Sequence, residues 1–345
     1  MTHARQHLRA WLELFRISNL PTVISNAIAG AALGASVASR GGAATIESAT
    51  AASPTIDDMI APLLSCVTDP ARSFVLLTPV LGYIAGMALN DAFDARIDAH
   101  ERAQRPIPRG DVRRAHAFVA GFALLTLSVA LAASSSSMPA LIAAIVLATL
   151  VVLYNVMHTR RAWSTLLLAM CRANASLITM LAFAGDDWRA VFSSGVIVLP
   201  IMLALWTLAL SIVARREVDV HAIASSTTTT PLRTMINVAF GATGVIVTAT
   251  MLLFIPQRAT LDAQRLALAV VAVAIGMIMT VVIVRARRWI AASPSSTPRA
   301  IAAWIACLAL IDALAMACAG LPAFAAVCLV CFVATRVTQR FVAGS

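Results

Sequence analysis

The chain has 345 residues, 60% apolar and only 12% charged, and its basic excess of +10 is carried by arginine alone, since lysine is absent. Repeated uncharged stretches of about 20 residues, the length that crosses the hydrocarbon core of a bilayer, exclude an ordinary water-soluble globule and place the chain among polytopic membrane proteins. The excess charge sits at the ends of these stretches, which implies a lipid bilayer as partner and gives no reason to invoke nucleic acid.

In chain order, the first segment, Met1–Arg16, reads as an amphipathic interfacial helix, with Leu8, Trp11, Leu12 and Phe15 on one side and Arg5, Arg9 and Arg16 around the other. It lacks the small-residue cleavage site of a signal peptide. Spans are expected near 17–38, 73–90, 115–133, 139–157, 164–184, 192–213, 233–255, 265–284, 300–317 and 321–338. Segment 40–72, rich in Ala, Ser and Thr with Pro54, Pro62 and Pro70, reads as a flexible external loop. Residues 225–230 and 293–298 read as polar linkers. With both termini on the cytoplasmic side, twenty arginines fall inside and five outside, and Arg172 lies within a span. That bias follows the positive-inside rule. The expected architecture is all-α, a polytopic transmembrane helical bundle of nine to ten helices forming one membrane-embedded domain over residues 1–345.

The end of the second span carries the informative cluster. Asn90, Asp91, Asp94 and Asp98 are followed at once by Arg102, Arg105 and Arg109. Spacings of three, four and seven residues bring the three aspartates onto one helical face, with Asn90 above Asp94. Adjacent carboxylates repel, so something positive must sit between them. Oxygen ligands that share a phosphate are what Mg²⁺ uses. A solvated loop is the bland alternative, and four polar residues at helical spacing beside a span argue against it.

Further along, Arg172 in Cys171-Arg172-Ala173-Asn174 lies at bilayer depth, where an arginine costs on the order of 2.5 kcal/mol or more. It must face a polar cavity or a partner: substrate, either a diphosphate or an acceptor carboxylate, or a structural pair with Asp312. Asn174, Asn19 and Asn26 either reach a site or make interhelical hydrogen bonds. His158 and His221 stand beside basic residues at membrane boundaries. Cys171, Cys307, Cys318, Cys328 and Cys331 fall in apolar spans, where cysteine packs as a small hydrophobe.

Asn90-Asp91-Ala92-Phe93-Asp94-Ala95-Arg96-Ile97-Asp98, with Arg105-Pro106-Ile107-Pro108-Arg109-Gly110 after it, resembles the first aspartate-rich motif and the R-P-x-x-x-G of the UbiA superfamily of intramembrane prenyltransferases. Arg16-Ile17-Ser18-Asn19-Leu20-Pro21-Thr22 resembles the family's opening R-x-x-N-x-P, and Tyr154-Asn155 with Arg160-Arg161 resembles the tyrosine and basic pair closing the fourth span. The likeness covers residues 16 to about 220. It implies a bundle around a central cavity with a cytoplasmic polar cap, in a bacterial inner (plasma) membrane. There an isoprenyl diphosphate is held through Mg²⁺ and its prenyl group passes to a lipophilic or aromatic acceptor. The resemblance assigns Asp91, Asp94, Asp98 and Arg105 to catalysis. Asn19, Asn90, Arg102, Tyr154, Arg160 and Arg161 go to substrate binding, Arg172 and Asn174 join them as candidates from their place within a span, and Asn90, Asp91, Asp94, Asp98, Glu217 and Asp219 go to metal.

The second family motif, D-x-x-x-D, is replaced here by Arg215-Arg216-Glu217-Val218-Asp219-Val220-His221. Glu217 and Asp219, two apart, point in different directions on a helix, which implies a looser hold on one metal. Two other readings stand beside transfer: a non-catalytic relative that binds a prenyl lipid, and a secondary transporter coupled through Arg172 and Asp312. The transporter would bring repeat symmetry, which the sequence lacks. A CDP-alcohol phosphotransferase needs a glycine after its first aspartate, where this chain has Ala92.

Overall fold

The computed structural model describes residues 3–41, 70–157, 163–222, 263–293 and 296–341. The described residues are helical throughout, joined by short turns. They form α1 (His3–Leu14), α2 (Leu20–Gly41), α3 (Pro70–Val75), α4 (Leu77–Glu101), α5 (Arg114–Ala133), α6 (Met138–Met157), α7 (Ser164–Ala184), α8 (Trp188–Ser193), α9 (Val198–Ala222), α10 (Ala263–Ala292), α11 (Thr297–Cys318) and α12 (Pro322–Thr338). Among them, eight helices are long and apolar enough to cross a membrane, and α12 is a shorter apolar helix. Nine of the ten expected spans therefore correspond to described helices. The tenth, 233–255, lies outside the described residues, as does 42–69 of the proposed external loop and linker 225–230.

Two boundaries differ from the sequence reading. The second span does not stop near residue 90: α4 continues to Glu101, so the aspartates are carried on an unbroken helix. The expected span at 192–213 begins later. Ser194 takes an extended conformation (ψ 159°), which separates the short α8 from α9. A turn at Gly185, whose φ of 58° is left-handed, starts the same break after α7.

Helices α2, α7 and α11 form the interior. The most apolar windows of these three are 67%, 61% and 72% buried, against 11% for α10, which lies at the periphery. α2 packs on α7, α11, α12 and α4; α4, α5 and α6 stack beside them; α9 joins α7 to α11. Lipid tails are as apolar as leucine, so close backbone packing must supply the attraction between helices. In α2 that role falls to Gly30 and Gly34, one turn apart. A Cβ at Gly30 would lie 2.2 Å from the Ser176 carbonyl oxygen, and one at Gly34 would lie 2.2 Å from that of Met180. The two backbones touch along this seam.

α1 sits on the bundle's polar end. Its Ala10 and Leu14 are fully buried with Ala88 and Ala92 of α4, Val112 and Ala117, and Trp11, Phe15 and Ile107 pack around them. The docking face is thus centred on Ala10, Trp11 and Leu14, whereas Leu8 stays 60% exposed. An apolar groove of about 810 Å³ opens between α5 and α6, lined by Phe122, Leu125, Val129, Val152 and Val156 among others. None of its lining residues is charged, and it belongs to a different face from the aspartates.

Replacing Gly30 by leucine is expected to separate α2 from α7 and to cost about 1–3 kcal/mol or more, as overpacking does. Thermal unfolding in detergent should fall accordingly. Gly276→Leu, where an added Cβ meets nothing within 4 Å among the described residues, should leave the transition unmoved.

Candidate active site

The aspartate stripe is built by α4. Apolar Ala88, Leu89 and Ala92 turn one side of the helix into the core and leave Asn90, Asp91, Asp94 and Asp98 along the other. All four are buried, at 8%, 4%, 8% and 1% exposure. Desolvated carboxylates need compensation, because an unpaired buried charge is far costlier than a paired one.

Two arginines from separate segments supply it. Arg105 donates through Nη1 to Asp98 Oδ2 at 2.7 Å and to Asp91 Oδ1 at 3.2 Å, spanning two turns of α4. Arg16 donates through Nη2 to Asp91 Oδ1 at 3.3 Å and to Asn90 Oδ1 at 3.5 Å. Arg102, half-exposed, stands 3.8 Å from Asp98 Oδ1. The sequence reading put a metal ion among these acids. Among the described residues, no group of three or more His, Cys, Asp or Glu side chains converges on a metal position. The Arg105 guanidinium lies between Asp91 and Asp98.

The loop after α4 has the composition this requires. Arg102, at φ −143° and ψ 55°, ends the helix. The Pro106 carbonyl accepts both Asp111 N–H and Val112 N–H, and Gly110 takes a φ of 86° that other residues avoid. The chain therefore doubles back, and Arg105 is carried over the stripe. Arg109 fastens the loop to α1 through Glu13 at 3.1 Å, and also holds Asp111. Burial acts to lower its guanidinium pKa, and these two carboxylates together outweigh that and hold it raised.

Arg16 is positioned by its backbone. Its φ of 47° and ψ of 50° are left-handed, which is uncommon for a residue with a side chain. The kink separates α1 from the 3-10 turn Ile17–Asn19 and α2, and directs the guanidinium at α4. Tyr83, on α4 two turns before the stripe, donates to the Arg16 carbonyl at 3.2 Å and pairs with Asn19. Tyr154 lies within electrostatic reach of Arg16. Asn19 also accepts from Gln339 beyond the end of α12, at 3.0 Å, which ties the last helix to this corner.

Other expected residues are placed differently. Asn174 faces α6, where it donates to the Ala143 carbonyl at 2.7 Å; it makes an interhelical bond away from the stripe. Arg172 donates to Thr22 at 2.6 Å, and Asp312 accepts from Ser25 and Asn26, so no ion pair joins Arg172 to Asp312. Arg160, Arg161 and His158 lie outside the described residues. Glu217, Asp219 and His221 fall on the last turns of α9, and their side chains lie outside the description. Sequence reasoning left Arg16 and Tyr83 out of the site. Arg16 carried a signal in its R-x-x-N-x-P segment; Tyr83, inside an apolar span, carried none.

Arg105→Ala leaves Asp91 and Asp98 without their shared cation and is expected to cost about 3–5 kcal/mol, the range for breaking a buried pair. The double variant Arg105→Ala with Asp98→Asn should recover part of that loss in a thermal-unfolding double-mutant cycle.

The family model of the UbiA prenyltransferase family matches residues 67–295, which include the aspartate stripe, its loop and α5 to α9. No curated protein matches the chain. A solved structure of a digeranylgeranylglyceryl phosphate synthase in membranes superposes with a TM-score of 0.50 at 18% identity, covering 92% of this chain and 99% of that one. At that identity the likeness speaks for the fold. With a match across more than half its length, spanning the buried Asp-rich helix and the Arg-Pro loop that closes on it, this chain belongs to the UbiA prenyltransferase family.

Proposed function

We propose that the chain transfers an isoprenyl group from an allylic diphosphate to a lipophilic or aromatic acceptor, releasing pyrophosphate, in a Mg²⁺-dependent reaction. The observation that carries this reading is the stripe of three buried carboxylates crossed by arginines from two different segments. Guanidinium forks suit phosphate oxygens, and here two of them are held in a water-poor layer at the polar end of an apolar bundle. The family and the fold of the synthase structure support prenyl transfer in general.

The donor set fits a hard cation, since every candidate ligand on α4 offers oxygen. Mg²⁺ needs only one or two carboxylates when a substrate phosphate supplies further ligands, so the lack of a three-residue cluster among the described residues is compatible with it. Asp91 and Asp94 would hold it, with Asn90 beside them, and Glu217 and Asp219 of α9 would complete a second position. When bound, the ion supplies Lewis-acid stabilisation of the charge that develops on the departing diphosphate.

The chain's own residues do the rest. Arg16 and Arg105 exchange an aspartate partner for diphosphate oxygens, so the site holds compensating charge before and after substrate arrives. As the allylic C–O bond loosens, negative charge grows on the leaving group, and fixed guanidinium donors favour that change most. Asp98, the most buried of the acids, keeps Arg105 aimed. Tyr83 and Asn19 hold the Arg16 corner. The prenyl tail lies along apolar helix faces, and exclusion of water lets the acceptor capture the cation.

Purified protein in lipid nanodiscs, given Mg²⁺, allylic diphosphates of several lengths and candidate acceptors, should release pyrophosphate. Asp94→Ala should abolish release, and Arg16→Ala should lower it at least about 100-fold, as loss of a charge-stabilising donor does. Chelation should stop turnover and added Mg²⁺ should restore it. Unchanged release in Asp94→Ala contradicts the proposal; prenyl-diphosphate binding without any release would identify a non-catalytic relative.

A further inference from the structure

Arg336 in the last turn of α12 and Gln339 just beyond it begin a line of hydrogen bonds that reaches Arg16. Gln339, 320 residues from Asn19 in sequence, donates through Nε2 to Asn19 Oδ1 at 3.0 Å. The same nitrogen donates to the Ala302 carbonyl of α11 at 2.8 Å. Its Oε1 accepts from Arg336 Nη1 at 2.8 Å. Both amide hydrogens and the amide oxygen are engaged, so turning the amide over would set its oxygen against two other oxygens.

The line continues from Asn19, which is 6% exposed. Its side chain is bonded to the Tyr83 hydroxyl, and Tyr83 donates to the Arg16 carbonyl at 3.2 Å. A phenol has one hydrogen, used on that carbonyl, so Tyr83 must accept from Asn19 Nδ2. Asn19 Oδ1 then faces the other way and requires a donor, which Gln339 provides. A guanidinium only donates and a backbone carbonyl only accepts. The line from Arg336 through Gln339, Asn19 and Tyr83 to Arg16 therefore runs in one direction, and each side chain fixes the orientation of the next.

Its end point is the strained residue. Arg16 holds a φ of 47° and a ψ of 50°, a conformation that persists only where the surroundings impose it. The Arg16 carbonyl accepts Asn19 N–H at 3.0 Å as well as the Tyr83 hydroxyl. Bonds to that oxygen fix the plane of the peptide that follows Arg16. They thereby hold the kink that aims the guanidinium at Asn90 and Asp91.

We propose that Gln339 is a positioning residue for Arg16: acting through Asn19 and Tyr83, it sets how firmly the guanidinium is presented to an allylic diphosphate. This rests on the proposed transfer reaction for the diphosphate alone; the ordering of the Arg16 turn is a property of the empty protein. α12 thereby has a part in the site besides packing.

The test uses the full chain in nanodiscs. Gln339→Glu keeps the side chain's shape and its Arg336 contact but sets an acceptor against Asn19 Oδ1 and the Ala302 carbonyl. Asn19 then turns over, Tyr83 gives its hydrogen to Asn19, and the Arg16 carbonyl loses that donor. Without any ligand, hydrogen–deuterium exchange of residues 16–19, read by mass spectrometry, should quicken about fivefold or more, as loss of one net hydrogen bond produces. With Mg²⁺ present, geranylgeranyl thiodiphosphate should bind about tenfold more weakly. Tyr83→Phe should do the same, and the double variant should be no worse than either, because both cut one line. Thr338→Val removes another bond from α12 to the same corner, made to the Ser18 carbonyl at 2.9 Å. It should leave thiodiphosphate affinity within about twofold. If Gln339→Glu does not fold, Gln339→Met, which loses the donor without adding an acceptor, decides by the same two readings.

Unchanged exchange in Gln339→Glu, additive losses in the double variant, or an equal loss in Thr338→Val each overturns the inference. Quickened exchange with unchanged affinity also overturns it, since Gln339 would then order the turn without serving the substrate. Absence of thiodiphosphate binding by the unmutated chain would sink the transfer reading, and the exchange measurement would then decide the positioning of Arg16 by itself.

Discussion

Three carboxylates on one helix face, removed from water, can persist only if positive charge is brought to them, and much of the polar end of this protein is arranged to do so. Arg105 reaches Asp91 and Asp98 because the loop after α4 doubles back at Gly110. Arg16 reaches Asn90 and Asp91 because its backbone takes a left-handed turn between α1 and α2. The strain at Arg16 and the ordering of the loop are offset by the charges they neutralise. The same arginines are then in place to meet a diphosphate, so one set of interactions serves the empty protein and the proposed reaction.

The apolar part of the bundle keeps this arrangement in register. Gly30 and Gly34 let α2 lie against the α7 backbone, which brings Thr22 to Arg172. α11 closes on the opposite side and carries Asp312 to Ser25 and Asn26. α12 reaches the Asn19 corner through Gln339. A change in the glycine seam therefore disturbs the polar layer that α2 carries.

Much of this was legible in the sequence. Spans are read from length and hydropathy, and burial of the aspartate face follows from helical spacing beside an apolar run. What spacing cannot say is which cation neutralises the acids. That Arg105 lies between Asp91 and Asp98 depends on where a loop of twelve residues, 102–113, places one side chain. Tyr83 was hidden for a related reason: an aromatic residue in a span looks like packing until a carbonyl from another segment arrives beside its hydroxyl. Arg172 and Asp312 were visible as charges at depth, and a direct pair was the simplest expectation. The structure instead gives each a neutral partner on α2, a distinction that depends on three-helix geometry and leaves no trace in residue order.

The central claim is that Arg16 and Arg105 stand where a prenyl diphosphate must lie. An electron cryo-microscopy structure of the protein with geranylgeranyl thiodiphosphate and Mg²⁺ tests it most directly. The account predicts the phosphates against the Arg16 and Arg105 guanidinium groups, with Asp91 and Asp94 on the metal and the prenyl tail directed into the bundle. A diphosphate bound away from both arginines, with the Arg105 bridge between Asp91 and Asp98 unaltered, would contradict it.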